Sequence, residues 1–336
     1  MLETVYGVYP DQYIQSIQFL LAKETNPTLF AIAAAYCLRY DTAAVNGTTI
    51  RKRMREQFPN YNSISVLAEL DKYLNNYSRY KAPAANDLIE LFRYQQTLKK
   101  KAIYSFQRHN RDYAGLAIVQ NADGTFMRYA DGRLMVFEQL ARSASGLPYF
   151  IPDGNTPQGV YSIQGTAVTY NKLIGPTPNL QLVMPYERKW TTYFHAGDSV
   201  VWTPNNDMLW SYLQLLPPSM RNLPSVTEAF YAGKIGRNSI IAHGTTIDPE
   251  YFKNKPWYPL TPTMGCLCAK ELWNVSNGRL LVSDQFNLVS AFSATAGSRG
   301  YLYVIDIDDQ KKAVSKAEVE RLVKEFEAKK LQVNRQ

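Results

Sequence analysis

Residues Ser239–Trp273 read SIIAHGTTIDPEYFKNKPWYPLTPTMGCLCAKELW. An apolar run ends in His243-Gly244-Thr245. After a loop rich in proline and aromatic residues, the chain turns through Thr263-Met264-Gly265-Cys266. The stretch supplies a thiol and an imidazole, the minimum pair for nucleophilic acyl transfer. A thiol is the weak form of the nucleophile, so a base must withdraw its proton, or an imidazolium must lower its pKa from about 8.5. Glycine before the cysteine removes a side chain from the path of an incoming carbonyl. It also lets backbone N–H groups around Gly265 and Cys266 converge on a developing oxyanion. His243 and Cys266 are far enough apart for two separate strands that meet in space. The same residue types also allow a plainer reading, in which a buried cysteine is an inert small hydrophobe and a histidine a satisfied core residue.

The rest of the chain bounds what this stretch can be. Its 336 residues, 46% hydrophobic and 20% charged, describe a globular protein of two domains and exclude an intrinsically disordered one. There are 3 cysteines and 3 histidines, so a multi-cysteine zinc module, an iron–sulfur cluster and a disulfide scaffold are ruled out. Any nucleophile or metal chemistry draws on Cys37, Cys266, Cys268, His109, His195 and His243. The net charge of +8 includes clusters at Arg51, Lys52, Arg53 and Arg55 and at Lys99, Lys100 and Lys101. Without a finger, RNA-recognition or helix-turn-helix pattern, these read as solvated helix faces and not as a nucleic-acid surface. Tyrosine is frequent, with 24 residues, and its apolar ring and polar tip suit both clefts and half-buried positions. No apolar run approaches the 18 or more residues that cross a bilayer; the longest, Thr28 to Leu38, fits a buried helix. The opening MLETVYGVYPDQY lacks the basic start, apolar run and cleavage site of a signal peptide. That suits either a cytoplasmic chain or one whose export signal has been removed.

Periodicity gives the organisation. Residues 11 to about 108 read as helical. The stripes are Ile14, Ile17, Leu20 and Leu21, then Val66, Leu67, Leu70 and Leu74, then Leu88, Ile89, Leu91 and Phe92 within Asn86 to Phe106. Pro27 suits a helix start and Asn86 a cap. From Tyr113 the chain changes to short extended runs at Leu116–Gln120, Thr125–Tyr129, Leu134–Leu140, Val160–Ile163, Leu180–Met184, Ser199–Trp202, Ser239–Ala242 and Tyr301–Ile307. Turn pairs such as Asp123-Gly124 and Asp131-Gly132 separate the first of them. Helical insertions are expected around Met208–Leu216 and Ser225–Tyr231. The tail returns to helix, with Ser315 and Glu318 at capping-box spacing before Val319, Leu322, Val323 and Phe326. The expected fold class is α+β, with a helical domain over 1–112, a β-rich domain over 113–308 and a C-terminal helix over 309–336.

Ala242-His243-Gly244-Thr245 followed by Thr263-Met264-Gly265-Cys266 resembles the signature of L,D-transpeptidases, the YkuD-like catalytic domain. Three other segments occur in that family's order. Asn155–Ile163 (NTPQGVYSI) is similar to its Thr-Pro-x-Gly-x-Phe-x-Ile strand, Met184-Pro185-Tyr186 to an element before the histidine, and Tyr301–Ile307 to its final strand. Ala117–Val119 and Arg133–Phe137 fit its opening hairpin. The resemblance spans roughly Tyr113 to Ile307. It implies a β-sandwich catalytic domain, a peptidoglycan stem-peptide substrate, no metal or organic cofactor, and an exported protein of the bacterial periplasm or envelope active in wall biogenesis and cell shape. It further implies Cys266 as nucleophile, His243 as base and then acid, and the Gly244 carbonyl as orienter of the imidazole. Thr263 would hydrogen-bond within the loop, and the amides of Met264, Gly265 and Cys266 would form the oxyanion hole.

The departures point the other way, to a catalytically degenerate wall-binding or scaffold protein on the same fold. Met264 stands where the family often has His, and Cys268 where it usually has Arg or Asn. Arg237, Lys234 and Arg299 are candidates to replace that Arg. Tyr186, Arg237, Trp257 and Cys268 are the expected substrate-side residues, with Trp257 as a lid or wall. Cys268, two residues along a strand from Cys266, shares its face and is expected as a small buried hydrophobe, with redox pairing or a metal site as the alternatives.

Overall fold

The helix Pro27–Leu38 (α3) is buried along nearly its whole length, from Phe30 to Leu38. Asn26 accepts N–H bonds from Thr28 and Leu29, and Pro27 takes the first helical position, where a missing N–H costs nothing. Around α3 pack Leu2–Val8 (α1), Ile14–Lys23 (α2), Gly47–Gln57 (α4) and Ser65–Asn76 (α5), and Ala85–Leu98 (α6) follows. The architecture is that of a computed structural model, which describes residues 1–40, 46–77, 80–196 and 208–333. The strand expected at Ser199–Trp202 lies outside the described residues.

The strands are Lys101–Arg108 (β1), Gly115–Gln120 (β2), Phe137–Leu140 (β3), Gly159–Ala167 (β4) and Asn179–Val183 (β5), then Ala242–His243 (β6), Leu267–Ala269 (β7), Glu271–Trp273 (β8), Leu280–Ser283 (β9) and Gly300–Asp308 (β10). The remaining helices are Trp190–Tyr193 (α7), Met208–Leu213 (α8), Glu228–Ile235 (α9), Asp284–Ser293 (α10) and Lys316–Val333 (α11). Eight strands close into a barrel in the order β1-β10-β4-β5-β6-β7-β3-β2, while β8 and β9 form a separate hairpin. The fold is thus a mixture of helix and strand, as expected, but the strands form a closed barrel and not a sandwich.

The reason lies in β1. The sequence reading continued the α6 helix to Phe106, but α6 ends at Leu98, and Lys99 adopts a left-handed conformation (φ 52°) that stops it. From Lys101 the chain runs antiparallel to β2 and parallel to β10. Without β1, β2 and β10 would be open edges; with it, the sheet closes. The helix-to-strand change therefore falls ahead of residue 112. All eight β1 residues are buried, so no polar face marks the strand, and a fully buried strand is easily confused with buried helix.

Alternation survives within that burial. Tyr104 and Phe106 of β1, Leu116 and Ile118 of β2, and Tyr301, Tyr303 and Ile305 of β10 pack in one core with α6 and α11. Ile103, Ala117, Val119, Leu302 and Val304, one residue out of step, pack in another with α10. The α11 helix starts as its sequence indicates: the Ser315 N–H donates to Glu318, and the Glu318 N–H to the Ser315 hydroxyl. Buried Arg108 ties β1 to this start, donating to Asp308 and, through Nη2, to both Glu318 oxygens at 2.9 Å. Against the push of burial, the bonds from Ser315 and Arg108 hold the Glu318 carboxyl down at about 2.

Smaller differences are local. Asn86 lies inside α6, and Asp87 closes the helix start by accepting the Ala84 N–H. Thr125–Tyr129 makes isolated bridges in place of a strand, and Ser239–Ala242 is strand only from Ala242. Leu147, Phe150 and Ile151, from the barrel part of the chain, complete the core around α3. No described helix is long and apolar enough to cross a membrane.

Candidate active site

His243 ends β6 and pairs in parallel register with Cys268 of β7, as Ala242 does with Leu267. Cys266 lies just before β7, and the Leu267 N–H beside it donates to Ile241 O at 3.0 Å. The two segments that carry the thiol and the imidazole are therefore neighbours in the barrel wall, joined by backbone hydrogen bonds.

The His243 ring is buried, with Nδ1 against the Gly244 carbonyl oxygen. A carbonyl only accepts, so Nδ1 carries the proton and Nε2 keeps its lone pair, the tautomer a general base needs. Burial pushes the imidazole pKa below 6.5, against the opposing pull of the Gly244 bond. A Cβ at Gly244 would lie 2.0 Å from the Glu271 carboxyl carbon, so a side chain there would displace that carboxyl. Glu271 accepts the Thr245 N–H at 2.8 Å and a bond from the Ser283 hydroxyl. The peptide whose C=O faces His243 thus has its own N–H held by a buried carboxylate. Trp273 Nε1–H donates to Thr245 O at 2.8 Å and braces the same turn.

The nucleophile turn is held as tightly. Thr263 Oγ1 donates to Cys266 O at 2.8 Å and accepts the Gly265 N–H at 3.1 Å. Thr156 Oγ1 donates to Gly265 O at 2.9 Å from the other side. Gly265 has φ +107°, and a Cβ would meet Arg237 Nη2 at 2.3 Å and Gly154 O at 2.7 Å, so no other residue fits. Because Thr263 takes the Gly265 N–H, of the three amides expected in an oxyanion hole only those of Met264 and Cys266 are unpaired among the described residues. The Cys266 sulfur, half-buried, lies 3.6 Å from Ser239 O. Burial raises its pKa; a hydrogen bond from the Ile241 backbone and the nearby Arg237 charge work in the opposite direction. At neutral pH the Cys266 thiol and the His243 imidazole are each in the neutral form.

The expected substrate-side residues are placed differently. Arg237 is buried and donates to the carbonyls of Tyr149, Gly154 and Asn155, so its guanidinium is a clamp behind Gly265 and not an open cation. Trp257 is no lid. It is buried with Ala114, Leu140 and Leu260, and the Arg142 guanidinium covers its ring at 3.9 Å. Cys268 is fully buried, its thiol pKa pushed far up by burial, consistent with a small hydrophobe. Tyr186 is exposed, in a left-handed conformation (φ 66°), with its ring edge-on to Trp190 and Phe230. Lys234 is exposed, and Arg299 sits near His195, whose Nε2 pairs with Ser162 Oγ at 2.7 Å and whose ring stacks on Tyr301. His109 stacks on Tyr80. Among the described residues no three His, Cys, Asp or Glu side chains are placed to hold a metal ion.

Glu271 and Thr156 were not singled out by the sequence. Glu271 falls in no segment read there as a strand, and Thr156 reads as part of a Thr-Pro strand. Only the fold brings the first under Gly244 and the second onto Gly265. Comparison of the chain with models of known families, with curated proteins and with solved structures gave no match.

Proposed function

We propose that this protein is a cysteine acyltransferase that processes peptidoglycan stem peptides in the manner of an L,D-transpeptidase, in the bacterial periplasm or cell envelope. The observation that carries the reading is the joined pair of strands: β6 presents His243 with Nδ1 pinned, and the turn into β7 presents Cys266 beside unpaired amides.

In the first step the Cys266 sulfur attacks the carbonyl of the L-centred third residue while its proton passes to His243 Nε2. The amides of Met264 and Cys266 receive the developing oxyanion. Collapse expels the terminal D-amino acid, whose amine takes the proton from His243, and leaves a thioester. An amine of a neighbouring stem then attacks the thioester to give a 3→3 cross-link; water in its place gives hydrolysis, an L,D-carboxypeptidase or endopeptidase outcome. Arg237 supports the turn and lends the thiolate positive charge. The chemistry requires no metal or organic cofactor.

The same site favours one competing reading. Burial disfavours the charged forms of both thiol and imidazole, and Gly265 has spent its amide, features that suit a catalytically degenerate wall-binding or scaffold protein. Intact-protein mass after incubation with a carbapenem separates the two. An adduct on the native chain that is absent from Cys266→Ala supports the enzyme. No adduct, or equal processing of tetrapeptide stems by Cys266→Ala, overturns it.

A further inference from the structure

Between α5 and the barrel lies a cavity of about 210 Å³ that neither Cys266 nor His243 lines. Tyr73, Tyr77, Tyr80 and Tyr149 contribute much of its wall, and Glu228, at the start of α9, faces into it. Tyr77, 44% exposed, and Lys81 also line it. Thr156 forms part of the wall and binds Gly265 O with its hydroxyl, so the cavity backs onto the nucleophile turn.

Among the described residues the charges around it are paired, except Glu228 and the Lys81 side chain. From α5, Lys72 pairs with Glu69 at 2.9 Å, and Glu69 accepts the Tyr149 hydroxyl at 2.6 Å. From β10 and the β1–β2 turn, Asp306 pairs with Arg111 and faces His109. Among the described residues no cation is bonded to Glu228, which accepts the backbone and side-chain N–H groups of Gln158, at 2.8 and 3.1 Å. Arg111, Gln158 and the Tyr149 hydroxyl are engaged within the protein, which leaves Lys81 and hydroxyls such as those of Tyr73 and Ser225 as the donors for a ligand rich in hydroxyls, such as a sugar. What remains among the described residues is mostly tyrosine rings and the Glu228 carboxyl, with Lys81 as the one other charge. That is the chemistry of an ammonium site, in which aromatic quadrupoles and one carboxylate replace the hydration of the cation.

We propose that this cavity binds a small organic ammonium ion, with its apolar stem against the tyrosines and its nitrogen on Glu228. Burial, with the Asp306 charge adding to it, raises the Glu228 pKa to about 8, so the free protein holds this carboxyl as the neutral acid at pH 7. Binding balances as follows: the ammonium enters with its charge, Glu228 becomes carboxylate, and its proton goes to solvent. Affinity therefore rises with pH, by up to about tenfold per unit below pH 8, and levels off above.

The test is calorimetry at pH 7 with n-butylammonium, run in two buffers of different ionisation enthalpy, with 1-butanol and N-acetylglucosamine as comparisons. Binding of the amine with release of close to one proton is expected. Glu228→Gln is expected to weaken the amine by about tenfold or more and to remove the proton release. Its thermal midpoint should match the native protein's, because a neutral side chain replaces a neutral one. Equal binding of 1-butanol, preference for the sugar, amine binding that Glu228→Gln leaves intact, or no binding of any probe overturns the proposal. The measurement is repeated on Cys266→Ala, which should bind the amine unchanged, so loss of the acyltransferase reading leaves this one standing.

Discussion

The β6–β7 turn and the α5–barrel cavity each keep a titratable group neutral by burial, yet the surroundings make them different instruments. Cys266 has a charged guanidinium nearby, two amides in its turn that are unpaired among the described residues, and a neighbouring strand that carries His243. Glu228 has only the N–H groups of Gln158 bonded to it among the described residues, and these share hydrogen bonds but accept no proton. Desolvation alone is therefore not chemistry. The partner decides whether a neutral acid is a nucleophile in waiting or a binding group.

The largest effect that would break this comparison is at the nucleophile. Cys266→Ala should abolish thioester formation and reduce stem-peptide processing by about a thousandfold or more, with an unchanged circular dichroism spectrum. A residual rate near the native one would remove the distinction between the two regions.

Next comes Gly265→Ala. The added methyl group meets Arg237 and Gly154 O in a backbone region that disfavours side chains, and a loss of about 2–4 kcal/mol in denaturant unfolding is expected. A loss under about 0.5 kcal/mol would mean that the Arg237 clamp is soft.

Glu271 tests how the imidazole is held. Glu271→Gln keeps the size but replaces a carboxylate acceptor for the Thr245 N–H, and a fall of about tenfold in kcat with little change in KM is expected. Glu271→Ala should cost more in both rate and stability; equal rates for Gln and Glu would assign the residue a purely structural part.

The pH profile sharpens the contrast further. His243 must be neutral to accept a proton, and its pKa lies below 6.5, so the rate should stay level as pH falls to 6.5 and decline only beneath that. A decline centred above pH 7 would place the base elsewhere. The acid side of stability belongs to a third carboxyl. Glu318 is depressed to about 2, so its contribution is present above about 4.5 and lost as pH falls through 2. The contribution is about 3 kcal/mol at most, and Glu318→Gln should flatten the dependence of unfolding midpoint on pH between 7 and 3.

Much of the site was legible because its chemistry is local. His243-Gly244 and Gly265-Cys266 are short segments whose residue types state a thiol, a base and a tight turn. Thr263 binds within three residues of itself, as its position suggests. Trp257 and Arg237 were misjudged for one reason: an aromatic ring or a cation in a loop has the same identity whether it faces a substrate or a carbonyl cluster. Only packing distinguishes the two. Helices with one buried stripe, such as α5 and α11, declared themselves by period, and the α11 capping box did so residue by residue.

By itself, then, the sequence determined the amphipathic helices and the Ser315–Glu318 cap, and it put forward one thiol and one imidazole among six candidate side chains. Tertiary structure alone decided that Lys101–Arg108 is a strand, that it closes a barrel, and that Glu271 lies under Gly244, Thr156 against Gly265 and Glu228 beside a cavity. The physical reason is the range of the interactions. Caps and stripes depend on neighbours three or four residues away, whereas a strand buried on both faces, or a carboxylate beneath a distant glycine, is defined by partners that only the folded chain brings within reach.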